Sequence, residues 1–377
     1  MRNGLLALAL VGLLATGSIT GCTKTGGASS AGGSRGGRNG TAKVGVILPD
    51  TTSSPRWEIY DPKYLQRAFD EANVPVDIQN ANGDRTRFAE IADNMIADGV
   101  QVLMIVNLDP RSGAAVLSKA REAKIKTIDY DRLTLGGGAD YHVGFDNFRA
   151  GVLQGEGLVA CLGATDKPVV AELNGSPTDN NATLLKKGYD SVLQPKYDSA
   201  EYVKGPDQDV PDWLSVEAGL IFEQMLDQQP KIRGVLAAND GLASAVIGVL
   251  KKHNLNGKVP VTGQDATVEG LRNLLTGDQC MTVYRAVRPE ARTAANLAID
   301  LYHGRQPSPE SLDLPAGTNL GRLKDPESGA YVPFVGLTPE LITKANIQSV
   351  LNDSFVLPAD LCAGERFTRL CRENGLG

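Results

Sequence analysis

The stretch FAEIADNMIADGVQVLMIV, residues 88–106, carries the pattern that decides the fold. Its first part has apolar residues at helical spacing and ends at Gly99, and its second part, residues 100–106, is a continuous apolar run. A helix with one apolar face followed by a strand that is buried on both faces is typical of a parallel sheet covered by helices. Residues 112–130 repeat this order, with a helical segment before the strand segment IKTIDY.

The same alternation of strand and helix continues on both sides of this stretch. The predicted strands are 42–48, 76–80, 100–106, 125–130, 141–145, 168–173, 200–204, 232–238, 259–263 and 281–285. Repeated strand–helix–strand order implies parallel sheets with helices on both faces. Because about ten strands are more than a single open sheet usually contains, the pattern predicts an α/β protein of two doubly wound parallel-sheet lobes.

Length and composition agree with two folded lobes and exclude other classes. The chain has 377 residues, and 42% of them are hydrophobic, which is enough to build two cores. It carries 38 basic and 44 acidic side chains, a net charge of −6. This acidic balance argues against nucleic acid as a partner, because nucleic-acid binders usually present a basic domain.

The N-terminus has the features of an export signal. Arg2 precedes an apolar run from Leu5 to Leu14, too short for a membrane span, and the segment ends at Ile19-Thr20-Gly21-Cys22. We interpret residues 1–21 as a signal peptide and Cys22 as a lipobox cysteine, the alternative being an ordinary secretory signal. Residues 22–40 are rich in Gly and Ser and predict a flexible tether. The folded part would then lie outside the cytoplasm, joined to the membrane only through a lipid anchor.

Four cysteines remain if Cys22 carries the lipid: Cys161, Cys280, Cys362 and Cys371. An even number in an oxidising compartment permits two disulfides, with three possible connectivities. Cys362 and Cys371 are close in sequence, and their pairing would leave Cys161 to pair with Cys280. No C-x-x-C spacing occurs, so a zinc site is poorly supported and we expect neither metal nor cofactor.

Polar and aromatic side chains follow the predicted strands. In open α/β sheets, ligands bind beyond the carboxyl ends of the strands, so this position defines a candidate site. Asp, Asn and Arg can grip vicinal hydroxyls, and indole rings stack on the apolar face of a sugar. The candidate ligand-binding residues are Arg56, Trp57, Asp131, Arg132, Asp179, Asn180, Asn181, Trp213, Asn239, Asp265 and Arg285.

Each of these residues also has a purely structural explanation. Asp179, Asn239, Asp240 and Asp265 precede predicted helices, where Asp and Asn are favoured N-caps. Asp131 and Arg132 fit an ion pair in a turn, and Trp57 fits simple packing between a helix and a sheet. The convergence of all these groups on one edge favours a binding site over any single cap or ion pair.

Signatures of catalysis are thin. The chain's three His residues lie far apart in sequence, and the single G-x-S-x-G match, residues 32–36, falls in the tether. No phosphate-binding G-x-x-x-x-G-K-[ST] loop occurs. We therefore expect a binding protein rather than an enzyme, although a secreted sugar-active enzyme with paired carboxylates remains an alternative.

Several longer segments resemble a known family. They are Arg56-Trp57, ANG (81–83), YDR (130–132), VGFDN (143–147), GSPTDNNA (175–182), AAND (237–240), GQDA (263–266) and MTVYR (281–285). In this order they resemble the type I periplasmic binding proteins of bacterial ABC sugar-uptake systems, in the branch that binds D-xylose and ribose. The resemblance covers about residues 42–305, with weaker similarity through 331–350.

The resemblance implies a monosaccharide ligand, with D-xylose or a close aldose favoured, and an ABC permease as partner. It also implies that Trp57 and Trp213 sandwich the sugar ring and that Arg56 and Arg132 donate to hydroxyls. Asp179, Asn180, Asn181, Asn239 and Asp265 would contribute from the second lobe. Arg285 stands where the family usually has Lys. A sensory binding protein that presents its sugar to a receptor is an alternative, because it would use the same closed lobes.

The resemblance further implies a three-crossover hinge between the lobes. The expected lobes are residues 41–146 with 289–330, and residues 147–288 with 331–377, so the crossovers fall near 146, 287 and 331. Closure of this hinge around the sugar would be the mechanism, in a chain that we expect to be a monomer.

Overall fold

The computed structural model describes residues 44–376. The predicted signal peptide, Cys22 and the predicted tether lie outside the described residues. Within the described part, the strands are β1 Val44–Leu48, β2 Val76–Asn80, β3 Val102–Ile105, β4 Lys126–Tyr130, β5 Tyr141–Phe145, β6 Val169–Asn174, β7 Val203–Asp209, β8 Ile232–Ala237, β9 Thr282–Tyr284, β10 Asn319–Lys324, β11 Tyr331–Leu337 and β12 Glu340–Ile342.

Helices connect almost all of these strands. They are α1 Arg56–Ile59, α2 Asp61–Glu71, α3 Arg85–Ala97, α4 Pro110–Glu122, α5 Asn147–Leu162, α6 Asn180–Asp198, α7 Ser215–Gln228, α8 Asp240–Lys252, α9 Val268–Thr276, α10 Val287–Tyr302, α11 Pro309–Leu312, α12 Gln348–Asn352, α13 Pro358–Leu361 and α14 Glu365–Glu373. No helix within residues 44–376 is both long enough and apolar enough to cross a membrane.

The first sheet has seven strands within the described residues, in the order β10-β11-β5-β4-β3-β1-β2. All neighbours are parallel except β10 and β11, which form an antiparallel pair at one edge. Every residue of β1 and β3 is buried. Val44, Val46 and Leu48 pack in one core and Ile47 packs in another, so apolar side chains cover both faces of the sheet.

The second sheet is built around β7-β6-β8, and β9 pairs with β12 beside it. Isolated bridges at Val261 and Gln264 connect β8 with β9, where the sequence pattern predicts a regular strand at 259–263. This strand is reduced to bridges because Pro260 has no N–H and because the backbone turns into positive φ at Asp265 and Ala266. The helices α5 to α8 bury their apolar faces in the core of this second sheet.

The chain passes between the two sheets at three places among the described residues. It crosses after Phe145 into α5, returns between β9 and α10, and crosses again after Leu337. The last crossing, which the resemblance places near residue 331, lies instead after Leu337. The reason is that Val332, Val335 and Leu337 are buried and β11 pairs with β5 in the first sheet.

Two disulfides are present in the described part of the chain, Cys161–Cys280 and Cys362–Cys371. The first joins the end of α5 to the segment that leads into β9. The second closes the C-terminal segment, in which α12 to α14 share a core with α9. Of the three connectivities that counting alone allows, the structure contains this one.

Candidate functional site

A narrow cavity of about 20 Å³ lies where the carboxyl ends of strands from both sheets face each other. The cavity is lined by Ser53, Ser54, Trp57, Asp131, Arg132, Asp179, Asn181, Leu185, Trp213, Asn239, Gln264, Asp265 and Arg285. Nine of the eleven ligand-binding residues proposed from the sequence are among them.

Arg56 is one of the two that do not line the cavity. Its guanidinium group is buried and donates to Asp61 at 2.7 and 2.9 Å, to Asp131 at 3.0 Å and to Glu290 at 2.6 Å. It also lies over the ring of Trp57, 4.2 Å from the centroid. The sequence predicts a direct sugar donor here, whereas the structure makes Arg56 a support for Trp57 and Asp131. The carboxylates of Asp61 on α2 and Glu290 on α10 accept hydrogen bonds from its N–H groups, which are therefore not directed at the cavity.

Asn180 is the other residue that falls outside the cavity lining. It is the first residue of α6 and is buried at the edge of the cavity, between Asp179 and Asn181, which both face the cavity. Three consecutive residues at the start of a helix point in different directions around its axis. The sequence pattern identifies the segment correctly but does not separate the two inward side chains from the third.

Asp131 is a carboxylate with three arginine side chains of the site close to it. It follows β4 in the left-handed region, with φ 60°, and its carboxylate accepts from Arg56 at 3.0 Å and Arg285 at 3.3 Å. Burial alone would raise the pKa of Asp131, but the nearby Arg285, Arg56 and Arg132 outweigh burial and lower it. Asp131 is therefore a charged acceptor and not a proton donor.

Arg285 links Asp131 to Asp265. Its two terminal nitrogens donate to different carboxylates, at 3.3 Å to Asp131 and at 2.9 Å to Asp265. Burial opposes the positive charge, yet Asp131 and Asp265 together raise the pKa of Arg285. This forked contact needs a planar guanidinium group, which a lysine side chain lacks.

Trp213 forms the wall of the cavity on the side of the second sheet. Its indole N–H donates to Asp179 at 3.1 Å, and the same carboxylate oxygen lies 3.1 Å from Nε of Arg132 in an ion pair. The backbone is held at φ 58°, which is uncommon for a bulky residue. The ring lies against Gly175, where a Cβ atom would come within 2.1 Å of it. Gly175 therefore leaves the space that the ring occupies.

Asp179 and Asn239 combine the structural and the functional interpretation. The Asp179 side chain caps α6 and the Asn239 side chain caps α8, each by accepting a backbone N–H. The same side chains also face the cavity, because a cap residue stands at the sheet edge where the strand ends. Asp240, by contrast, is buried in the second half of the chain, where burial and then Asp265 raise its pKa to about 7. It does not line the cavity.

Side chains from opposite sheets contact each other across the cavity. Asn181 and Arg285 donate to Asp131, Ser54 donates to Asp265, Asn239 donates to the backbone carbonyl of Ser53, and Arg132 forms an ion pair with Asp179, all at 3.1–3.3 Å. The two halves of the site are therefore closed on each other.

The structure adds residues that the sequence analysis did not select. Ser53 and Ser54 come from the loop after β1 and carry no recognisable signal in the sequence. Gln264 precedes Asp265 directly after the predicted strand 259–263, so its position at a strand end could have identified it as a site residue. Glu290, on α10, is buried beside Arg56, and burial raises its pKa to about 8. No cluster of His, Cys, Asp or Glu within residues 44–376 is arranged to hold a metal ion.

Comparison with known proteins gives consistent matches over the described part of the chain. Residues 44–306 match the periplasmic binding protein domain family. A D-xylose-binding periplasmic protein of Escherichia coli (strain K12) is 34% identical over 323 residues, which is 85% of this chain and 92% of that protein. The multiple sugar-binding periplasmic receptor ChvE of Rhizobium radiobacter is 32% identical over 334 residues, 84% of this chain and 91% of that protein.

A solved structure shows the same architecture. The crystal structure of a carbohydrate transporter solute-binding protein from Chloroflexus aurantiacus, in complex with D-glucose, is 27% identical in sequence. The two structures agree with a TM-score of 0.74, over 84% of this chain and 97% of that one. The fold therefore has two parallel-sheet lobes of the type I periplasmic binding proteins.

Proposed function

This chain belongs to the periplasmic binding protein family, and on that premise we propose that it captures a monosaccharide, D-xylose or a closely related aldose, outside the cytoplasm. It then delivers the sugar to an ABC permease. Its relatives of known name include D-xylose-binding and multiple sugar-binding periplasmic proteins.

The observation that carries the proposal is the composition of the cavity. Two indole side chains, Trp57 and Trp213, line it together with carboxylate, amide and guanidinium groups from both sheets. A sugar has apolar C–H faces that stack on indole and hydroxyls that both donate and accept. In this proposal, Arg132 and Arg285 donate to hydroxyls, while Asp131 and Asp265 accept from them.

Hinge closure is the proposed mechanism. Sugar hydroxyls that contact both halves of the site stabilise the closed state more than the open state, and only this difference shifts the equilibrium. The contacts across the cavity, such as Arg132–Asp179 and Asn181–Asp131, are those expected of the closed state. The permease would recognise this closed state.

Binding without turnover is supported by the electrostatics of the cavity. A glycosidase needs a carboxylic acid with a raised pKa next to its substrate. Asp131 lines the cavity and its pKa is lowered, whereas the pKa of Asp240 and of Glu290 is raised and neither lines the cavity. These positions favour a binding site over an acid–base pair.

A sensory role is the second candidate, favoured by the similarity to a relative that is named a receptor. A sensor and a transport protein would share the cavity and the closed state, and they would differ only in the membrane protein that binds them. Membrane attachment through a lipid on Cys22 is part of both proposals. It would be tested by mass determination of the mature protein, with Cys22→Ala as the unlipidated control.

Isothermal titration calorimetry tests the proposal directly. Residues 41–377 would be titrated with D-xylose, D-glucose, D-ribose and L-arabinose, and with Trp213→Ala as the variant that removes one wall. Saturable one-to-one binding of D-xylose that Trp213→Ala abolishes would support the proposal. Tight binding of a different aldose would replace the named sugar and keep the class. Absence of binding to all four by the folded protein would refute the proposed function.

A further inference from the structure

Gln264 is a buried amide in the cavity lining whose oxygen lacks a partner. Its side chain is 2% exposed, and among the described residues nothing donates a hydrogen bond to its Oε1 atom. Most buried polar side-chain atoms in proteins are hydrogen-bonded, so such an exception requires an explanation. A bound ligand that supplies the missing donor would be one.

The backbone holds Gln264 firmly in this position. Its carbonyl accepts from the N–H of Asp240 at 2.9 Å, and the residue bridges to Val283 in the second sheet. Its neighbours are fixed as well, because Gly263 accepts from Val283 at 3.1 Å and Asp265 donates to Val283 at 2.7 Å. The side chain therefore stands on a rigid support and not on a free loop.

The local backbone also explains why two adjacent residues face one cavity. In an extended strand, consecutive side chains point to opposite faces. Here Asp265 has φ 99° and Ala266 has φ 51°, so the strand geometry ends at Asp265. Both Gln264 and Asp265 consequently line the cavity. The conformation is unusual for residues other than Gly, and it turns a second polar side chain toward the ligand.

The unpartnered atoms of the cavity lining complement each other. Arg285 has a buried Nε–H without an acceptor and Trp57 has a buried indole N–H without an acceptor, while Gln264 has the acceptor without a donor. A sugar hydroxyl both accepts and donates, so hydroxyls are suited to all three positions. Gln264 differs from the charged acceptors because it brings no additional negative charge next to Asp265.

We propose that Gln264 is a further sugar-contacting and specificity-determining residue, whose amide oxygen accepts a hydrogen bond from one hydroxyl of the bound sugar. The inference rests on the proposed sugar-binding function. A sugar that lacks this hydroxyl leaves the buried oxygen unpaired, and the loss corresponds to about tenfold in affinity. Replacement of Gln264 by an apolar side chain of similar length removes the discrimination.

The test is a cycle of protein and ligand changes measured by calorimetry. The full-length protein, Gln264→Met and Gln264→Glu would each be titrated with D-xylose and with its 2-, 3- and 4-deoxy derivatives. Gln194→Met is the control, because Gln194 is an exposed amide on α6 that donates to Asp198 and does not line the cavity. Thermal unfolding of every variant separates effects on stability from effects on binding.

We expect one deoxy derivative to bind the wild type about tenfold more weakly than D-xylose, and Gln264→Met to reduce that particular ratio to less than about threefold. Gln264→Glu should retain the preference, since it keeps the acceptor, and Gln194→Met should retain it as well. A uniform loss of affinity for every derivative, or a Gln194→Met variant that behaves like Gln264→Met, would overturn the inference. Failure of the wild type to bind any aldose would instead refute the proposed function.

Discussion

Gly175→Ala is the substitution that tests most directly how the Trp213 wall is built. A Cβ atom at residue 175 would lie 2.1 Å from Cη2 and 2.2 Å from Cζ2 of the Trp213 ring. Ordinary contacts of a Cβ atom begin at 3.4 Å, so the ring must move by about 1.3 Å, the difference between these distances. The backbone of Gly175 does not have a positive φ, so alanine itself introduces no backbone strain.

The expected cost falls on sugar binding. Overpacking of a well-packed site typically costs about 1–3 kcal/mol, and the ring faces the cavity, which is the direction left open to it. A shift of this size also stretches the 3.1 Å hydrogen bond from the indole N–H to Asp179. We therefore expect the Kd for the sugar to rise about 10- to 100-fold, because 1.4 kcal/mol corresponds to a factor of ten.

Calorimetry with the preferred aldose measures this change, and thermal unfolding reports whether the protein stays folded. Gly219→Ala is the matched control, because the nearest atom to its added Cβ is 3.9 Å away. It lies inside α7 and should keep sugar affinity unchanged while stabilising the helix slightly. A Gly175→Ala variant that binds the sugar within twofold of the wild type would refute the proposed wall.

Three further predictions follow from buried charges and from the disulfides. Arg285→Lys should lower the free energy of unfolding by about 1.5–3 kcal/mol, because one ammonium group cannot reach both carboxylates; an unchanged urea midpoint would contradict this. Burial raises the pKa of Glu290 to about 8, so between about pH 4.5 and 8 this carboxyl group is protonated in the folded protein and ionised in the unfolded chain. The free energy of unfolding therefore falls as the pH rises through that window. In urea titrations, the free energy of unfolding should fall less steeply with pH for Glu290→Gln than for the wild type. It should fall as steeply as in the wild type for Glu58→Gln, because Glu58 is exposed. Replacing Cys161–Cys280 by serines should cost about 5 kcal/mol and replacing Cys362–Cys371 about 2.5 kcal/mol, because the closed loops span 119 and 9 residues; equal costs in denaturant titrations would contradict the loop argument.

Much of the architecture follows from short-range patterns. The buried strands β1 and β3 are apolar along their whole length. In the helices between strands, apolar residues recur with a period of about 3.6 residues, so the order of elements is visible in the sequence. Long-range pairing is less visible. β11 has the composition of a strand for either sheet, and only its packing beside β5 assigns it to the first one.

The candidate site, like the fold, is visible in the sequence only in part. Polar residues directly after strands, such as Asp131 and Asn239, could be selected because parallel strands bring their carboxyl ends to one edge. The sequence could not show that two adjacent residues, Gln264 and Asp265, would both face the cavity. That result depends on the positive φ at Asp265, which has no signature in the residue types.

The sequence by itself determined the two-lobe α/β class and pointed to the candidate edge and to most of the residues that line its cavity, because periodicity and strand ends are local properties of the chain. The tertiary structure alone decided which side chains reach the cavity. Arg56 is withdrawn from it by Asp61 and by Glu290, which is 234 residues away in sequence. A buried guanidinium group takes the nearest carboxylates, and their nearness is set by how α2 and α10 pack and not by the sequence around Arg56.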